Sequence, residues 1–523
     1  NETVGIDDNF FSLGGDSIKA IQICSRVQNK GFNLEVNDIF TKSTIREIAV
    51  TLAGLRSTAY QGLVSGEIPL TPIQHQFFSH YLKAPERFLH NIMLCLTKKR
   101  PVTELDDIFT LLITHHDALR TKFHRDNASN KVVQSLDEVV HRFRVRSLGK
   151  FESLNDAGLM EMINELNGSM NIEAASLVQA GEFEIADDQY LIIAIHHLVV
   201  DGISWRILLE DLEHLFNYGH RSPLPLKTDP FKKWAEELQK FIISQPDIET
   251  KDTAHKMTHI RPERIPPEWN NNATDLYRDE ETVVIYIERD TTDKLTGPSL
   301  HVKLKTEMAD FLICALGLTY KQAFHRDYLY VAMESHGREQ ILPGINITRT
   351  VGWFTNIYPV MFNLKKSDNP VEMLVDFKDT LKVGSKNAIV RSAAKYLRPE
   401  DKKADYPEPT IIFNYLGQFN TGKTSSFQIA SYNVGELICK ENTREYQFTF
   451  AGIYAKGRIM MQISFNRSHF KNDSMEAFLQ LYKNNLESLV ATVERIDEYI
   501  LTPSDLTYTE LSADDLDTIN AII

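Results

Sequence analysis

Residues 56–68, Arg-Ser-Thr-Ala-Tyr-Gln-Gly-Leu-Val-Ser-Gly-Glu-Ile, are polar and carry two glycines, the composition of a linker between domains. That break constrains the fold to a short N-terminal unit followed by a much larger one. In the short unit, Ile18, Ile21, Cys24 and Val27 recur at helical spacing, which predicts an amphipathic helix from Ser17 to about Asn29, stopped by Gly31. A second helix is expected to open at Thr44-Ile-Arg-Glu47, where the Thr hydroxyl and Glu carboxylate can satisfy orphan backbone donors, and to run to about Leu55.

Beyond the linker the pattern is mixed. Helices are expected at about 72–83, 104–117 and 204–217, the last carrying Trp205, Leu208, Leu209, Leu212 and Leu215, with an apolar strand at Tyr190–His196. The run Ile260-Arg-Pro-Glu-Arg-Ile-Pro-Pro-Glu-Trp-Asn-Asn-Asn marks a boundary between lobes at about 69–265 and 280–501. Thr282-Val-Val-Ile-Tyr-Ile then begins as a strand, and a long helix at about 473–499 closes the second lobe. The tail 502–523 holds Asp505, Glu510, Asp514, Asp515 and Asp517 with no Lys or Arg, while Leu516, Ile519 and Ile522 fall at helical spacing. It reads either as a frayed terminus or as an acidic docking segment for a basic partner.

The 523 residues suit two to four domains. A formal charge of −14 with no basic run argues against nucleic acid. Cys24, Cys95, Cys314 and Cys439 lie far apart with no Cys-x-x-Cys pair, which reads as free thiols in a reducing compartment. No apolar run approaches a membrane span and no signal-peptide pattern opens the chain, so no membrane partner and a cytoplasmic location are expected. The chain starts at Asn1 in what reads as a loop, so an excerpt of something longer is expected.

Two constellations carry chemistry. In Asp8-Asn-Phe-Phe-Ser-Leu-Gly-Gly-Asp-Ser17, Ser17 follows a tight turn and starts a helix. It either caps that helix or offers its hydroxyl for a phosphodiester at the helix N-terminus. In Ile195-His196-His197-Leu-Val-Val-Asp201-Gly202-Ile-Ser-Trp205, two imidazoles end a buried strand just before a glycine turn and a helix. His197 can serve as a general base near neutral pH, and no third ligand sits at metal spacing. His115-His116-Asp117, at a helix end without a glycine turn, is assigned a structural role.

The residues around Ser17 resemble the peptidyl carrier domains of nonribosomal peptide synthetases. His196-His197-Leu-Val-Val-Asp201-Gly202 resembles the signature of the condensation-domain superfamily, and the resemblance covers about 69–500. Four segments resemble its epimerization branch: Leu70-Thr-Pro-Ile-Gln-His-Gln-Phe-Phe78, Glu334-Ser-His-Gly-Arg-Glu339, Arg349-Thr-Val-Gly-Trp-Phe-Thr-Asn-Ile-Tyr-Pro359 and Phe413-Asn-Tyr-Leu-Gly-Gln-Phe419. Asp16 before Ser17 agrees with that branch.

The resemblance implies a small all-α carrier, a helical bundle over 1–57, then a linker at 58–68. A two-lobed α/β (α+β) domain resembling chloramphenicol acetyltransferase would follow at 69–501, with a docking segment at 502–523. It implies 4'-phosphopantetheine on Ser17 and epimerization of an aminoacyl or peptidyl thioester. Expected partners are an upstream adenylation domain, a phosphopantetheinyl transferase and a downstream condensation domain met through the C-terminal segment. Alternatives are a condensation domain that forms peptide bonds and a catalytically silent carrier and docking unit.

Moving the α-proton from one face to the other calls for two proton carriers or one that moves. The resemblance offers His197 and Glu334, with Tyr415 and Asn414 as candidates for stabilising the enolate-like oxygen and Tyr415 alternatively as a proton carrier. Glu334 would need its pKa raised by burial, unless it is simply paired with Arg338 four residues on. Asp201 is expected to be structural with Arg349 as its salt-bridge partner, and His196 to hold the loop. Three features depart from the family pattern: Ser335 replaces a glycine, Asn420 replaces an aspartate, and the glycine-rich segment expected near 383–395 is absent.

Overall fold

The structure, a computed structural model, describes residues 4–505 except 11–12, 14, 16, 55–58, 81, 127, 129–130, 175–176, 245–263, 270–272, 387, 400–405, 419–425, 431 and 433. Asp16, Phe419, Asn420, most of the expected lobe boundary and the tail 506–523 therefore lie outside the described residues.

The N-terminal unit has helices at Ser17–Asn29, Val36–Thr41 and Ile45–Thr51. Ala20, Cys24, Leu34 and Ile39 form its small core. The capping box at Thr44 and Glu47 forms in both directions, each bond 3.3 Å. The helix Val36–Thr41 escaped the periodicity because six residues show less than two turns of pattern. The unit is also not purely helical, since Phe32–Asn33 pairs antiparallel with Ala53–Gly54.

The first lobe has a five-stranded sheet in the order Phe427–Ile429, Leu89–Leu96, Asp188–His196, Val178–Ile185, Arg146–Phe151. Its core is built by the helices Val102–His115 and Gly202–Tyr218, which bury Ile108, Phe109, Leu112, Leu208 and Leu212. A three-stranded sheet of Gly66–Ile68, Val132–Leu136 and Thr121–Arg125 adjoins it.

The second lobe has a six-stranded mixed sheet in the order Glu280–Tyr286, Arg458–Asn466, Phe448–Ala455, Ile411–Gln418, Tyr328–Ser335, Asn356–Asn363. Its core is packed with the helices Met308–Phe324, Pro370–Lys386 and Asn472–Glu494. The expected helices and strands are present with ends shifted by a few residues. The lobes are not contiguous in sequence, however. Phe427–Ile429 crosses back and pairs with Leu94–Leu96, so the edge of the first-lobe sheet is covered by the chain of the second.

The segment near 383–395 forms the end of one helix and most of the next, Ala388–Leu397. Buried Arg391 donates to the Gly384 carbonyl and Ser392 to the side chain of Asn356, which faces Ser335 across the strand pair. This corner thereby closes over the strand that carries Glu334.

That strand leaves the sheet through Gly337, at φ +64°, where an added Cβ would sit 1.6 Å from the Phe354 carbonyl oxygen. Gly344 has a similar φ of +74° with open space around it. Gly337→Ala is expected to lower the unfolding temperature well beyond Gly344→Ala, which carries only the strain of about 1–3 kcal/mol for a left-handed residue. Equal losses would contradict the close approach.

Candidate active site

The strand Asp188–His196 is apolar because it is buried on both faces, and it delivers His196 and His197 to the junction of the lobes. His196 is fully buried; its Nε2 donates to the Pro85 carbonyl at 2.8 Å and its Nδ1 accepts from the Leu198 N–H at 3.1 Å. Both nitrogens are committed, so this ring holds the loop. His197 Nδ1 donates to the Val200 carbonyl at 2.8 Å, which leaves the Nε2 lone pair available as a base. Burial lowers the His197 pKa, keeping the ring neutral and base-competent at neutral pH.

Three rings enclose His197. Phe88 stacks at 5.2 Å, Trp353 lies at 4.5 Å, and His90 approaches to 3.8 Å between centroids. Sequence reasoning missed His90. The only signal was one imidazole in a largely apolar strand, and no motif spacing includes it.

Asp201 caps the helix Gly202–Tyr218 through the Ser204 N–H at 2.7 Å and accepts the Phe354 N–H at 3.1 Å. Its ion-pair partner is Arg338, both of whose contacts to it are 3.2 Å, rather than Arg349. Arg338 is buried, lies 4.0 Å over the Phe354 ring, and also donates from Nη1 to the Ile347 and Thr350 carbonyls and from Nη2 to the Ser204 hydroxyl. The left-handed turn at Gly337 sends this side chain across the lobe junction, so it cannot serve as the i,i+4 partner of Glu334.

Glu334 is the penultimate residue of the strand Tyr328–Ser335 and accepts a 2.7 Å hydrogen bond from Asn414 Nδ2 on the neighbouring parallel strand. Burial first, and the charge of Asp201 second, push its pKa up to about 7. The same Asp201 charge acts on His197. One titratable group from each lobe is thus held within the field of a single carboxylate. Tyr415 follows Asn414 and, by strand alternation, turns to the other side of the sheet, against Gly452 and the core of the second lobe. The structure brings Asn414, not Tyr415, to Glu334.

Arg349 has a different task. It is buried, with Asp211 at 2.6 Å, Glu210 at 3.0 Å and the Ser25 hydroxyl of the N-terminal unit at 2.8 Å. The N-terminal unit is seated beside it: Ile21 enters the first-lobe core, Thr348 donates to Gln28 at 2.9 Å and Gln340 to Glu35 at 2.6 Å. Asp211 also bonds His116 at 2.9 Å. Among the described residues, His115, His116 and Asp211 are the one group of three close enough to share a cation, but the Arg349 guanidinium already compensates Asp211. This agrees with a structural reading of that pair.

Ser17 is the first residue of a 13-residue helix with no acidic residue in its first turn. The helix dipole favours a phosphate there, so the residues present fit a phosphorylated arm.

The phosphopantetheine attachment site family matches residues 1–52, and the condensation domain family matches residues 64–512. Curated relatives include tyrocidine synthase 2 of Brevibacillus parabrevis and gramicidin S synthase 1 of Brevibacillus brevis. Each is 32% identical over 99% of this chain, which spans 15% of the former and 48% of the latter. Among solved structures, the epimerization domain from the third module of tyrocidine synthetase B matches with a TM-score of 0.77 at 28% identity, covering 83% of this chain and 98% of that one. A condensation domain from the monacolin K polyketide synthase shares the fold, with a TM-score of 0.65 at 15% identity, covering 83% of this chain and 99% of that one. Among the described residues, no helix is long and apolar enough to cross a membrane.

Removing one partner of the Arg338–Asp201 pair leaves an uncompensated buried charge, at a cost of about 3–5 kcal/mol. Asp201→Asn and Arg338→Met are each expected to lose that much in urea unfolding, and the double variant less than their sum. Additive losses would show that the two do not interact. Arg349→Ala removes all three of its contacts and is expected to free the N-terminal unit, raising the radius of gyration in small-angle X-ray scattering. An unchanged radius would mean that other contacts hold it.

Proposed function

Because this chain belongs to the condensation-domain family of nonribosomal peptide synthetases, with a phosphopantetheine attachment domain ahead of it, we propose that it epimerises the α-carbon of an aminoacyl or peptidyl group. That group is held as a thioester on 4'-phosphopantetheine at Ser17. The observation that carries this reading is the buried Glu334, whose one hydrogen-bond partner among the described residues is an amide rather than a cation and whose raised carboxyl shares the Asp201 charge with the neutral His197 of the other lobe. Peptide-bond formation needs no second proton carrier of this kind; inversion does.

The arm supplies a tether and, through its thioester, an acidified α-proton. In one direction His197 Nε2 takes that proton and the protonated Glu334 returns one to the other face. In the reverse direction the roles exchange. Asn414 Nδ2 spends one N–H on Glu334, and its second N–H is the donor we assign to the negative charge left by proton removal. Arg338 and Asp201 act by positioning both loops. Arg349 holds the carrier through Ser25, and the rings of Phe88 and Trp353 pack against His197 and fix its plane. An upstream adenylation domain would load the arm, and the C-terminal segment would meet a downstream condensation domain.

The test loads Ser17 with an L-aminoacyl group, releases it after incubation and measures its chirality. The full chain should yield a D/L mixture. Ser17→Ala should prevent loading, and His197→Ala and Glu334→Gln should each slow inversion by ~10²–10⁴. Dipeptide formation with a second loaded carrier and no change in chirality would instead favour condensation.

The pH dependence follows from the two shifts. The active pair carries one proton in either direction, so rate falls as pH rises through about 7, where Glu334 loses it, and falls again below the lowered His197 pKa. Asp201→Asn removes a cause of the Glu334 rise, so the alkaline limb should move to lower pH. A limb that stays in place would contradict the assignment.

A further inference from the structure

His90 lies in the strand Leu89–Leu96, opposite Ile195, with its ring 3.8 Å from that of His197 at a 45° tilt. Among the described residues neither of its ring nitrogens has a hydrogen-bond partner, whereas both nitrogens of His196 and Nδ1 of His197 are taken. Nor are those nitrogens among the sealed, unpartnered polar atoms, and the residue is partly exposed. An imidazole free at both nitrogens in such a place has a proton-accepting and a proton-donating position to offer. Burial holds its pKa well below the usual histidine value, so it rests neutral.

The two-carrier reaction leaves a problem that none of the residues assigned so far solves. After one inversion His197 carries the proton and Glu334 has lost it, the state suited only to the reverse reaction. The next L substrate needs the proton back on Glu334, and the substrate itself stands between the two carriers. Around His197, Phe88 and Trp353 have no basic nitrogen, His196 is locked, and Asp201 is committed to Arg338. His90 is the remaining neighbour able to accept and pass on a proton.

We propose that His90 resets the site by relaying the proton from His197 Nε2, through intervening water, to the Glu334 carboxylate. One N–H bond breaks at His197 and one O–H bond forms at Glu334, and His90 and the water end as they began. Net charge is unchanged and no further reactant is consumed. His90 acts through His197 rather than on the substrate. The inference rests on the two-carrier reading above.

The test follows the holo chain loaded with an L-aminoacyl group by rapid quench. The unmodified chain should approach the D/L equilibrium in one phase. His90→Phe should give a fast phase limited to molecules that start in the correct proton state, followed by a phase about tenfold or more slower, within the range of a lost proton carrier. Added imidazole should accelerate the slow phase in His90→Gly and leave the unmodified chain unaffected.

His90→Gln provides a second, polar variant should the larger ring disturb packing, and it should show the same two phases. A single phase in His90→Phe and His90→Gln, or a uniform slowing that imidazole leaves untouched, would overturn the relay while the two-carrier reading stands. Absence of inversion in the unmodified chain would instead remove the reading on which the relay rests. In the unloaded chain, limited treatment with diethyl pyrocarbonate followed by peptide mapping should modify His90 and spare His196. Protection of His90 would show that its nitrogens are not free.

Discussion

The buried pair of Arg338 and Asp201 joins the two lobes, and the site depends on it. Asp201 begins the helix that follows the His196-His197 loop, and Arg338 follows the strand that carries Glu334. Two ions out of water are not a cheap source of stability, and their value here is placement: Arg338 donates to the Ile347 and Thr350 carbonyls, and Asp201 accepts the Ser204 and Phe354 N–H groups. One charge therefore sets the orientation of both loops and adds to the raised pKa of Glu334.

The helix Gly202–Tyr218 ties this centre to the carrier. Its first turn holds Asp201 and Ser204 at the site, and Glu210 and Asp211, roughly 9–15 Å further along the helix, hold Arg349 and through it Ser25. The segment from Gln340 to Trp353 runs the same course in the second lobe, touching the carrier at Gln340, Thr348 and Arg349 and His197 at Trp353. Carrier docking and catalysis share two rigid connections.

Much of this was legible in the sequence. The apolar periods placed the main helices and strands, the Thr44 and Glu47 spacing gave a capping box that forms, and the strand end before Gly202 located the two imidazoles. What stayed hidden was tertiary. Spacing along a chain does not say which of two arginines reaches which carboxylate: Arg338, redirected by a left-handed turn at Gly337, takes Asp201, while Arg349 pairs with Glu210 and Asp211. The side of the strand on which Asn414 and Tyr415 lie depends on pairing register. His90 belongs to the site only because two strands distant in sequence lie side by side. The crossing strand Phe427–Ile429 is too short to carry a pattern of its own.

The central claim is that two carriers on opposite faces exchange the α-proton. Its most direct measurement is the isotope content of each enantiomer at early time, after loading Ser17 with a protiated L-aminoacyl group in D2O. Newly formed D product should carry deuterium at the α-carbon while the remaining L substrate keeps its proton. Deuterium entering the L pool as fast as D accumulates, or D product that retains the original proton, would point to one carrier serving both faces and would contradict it.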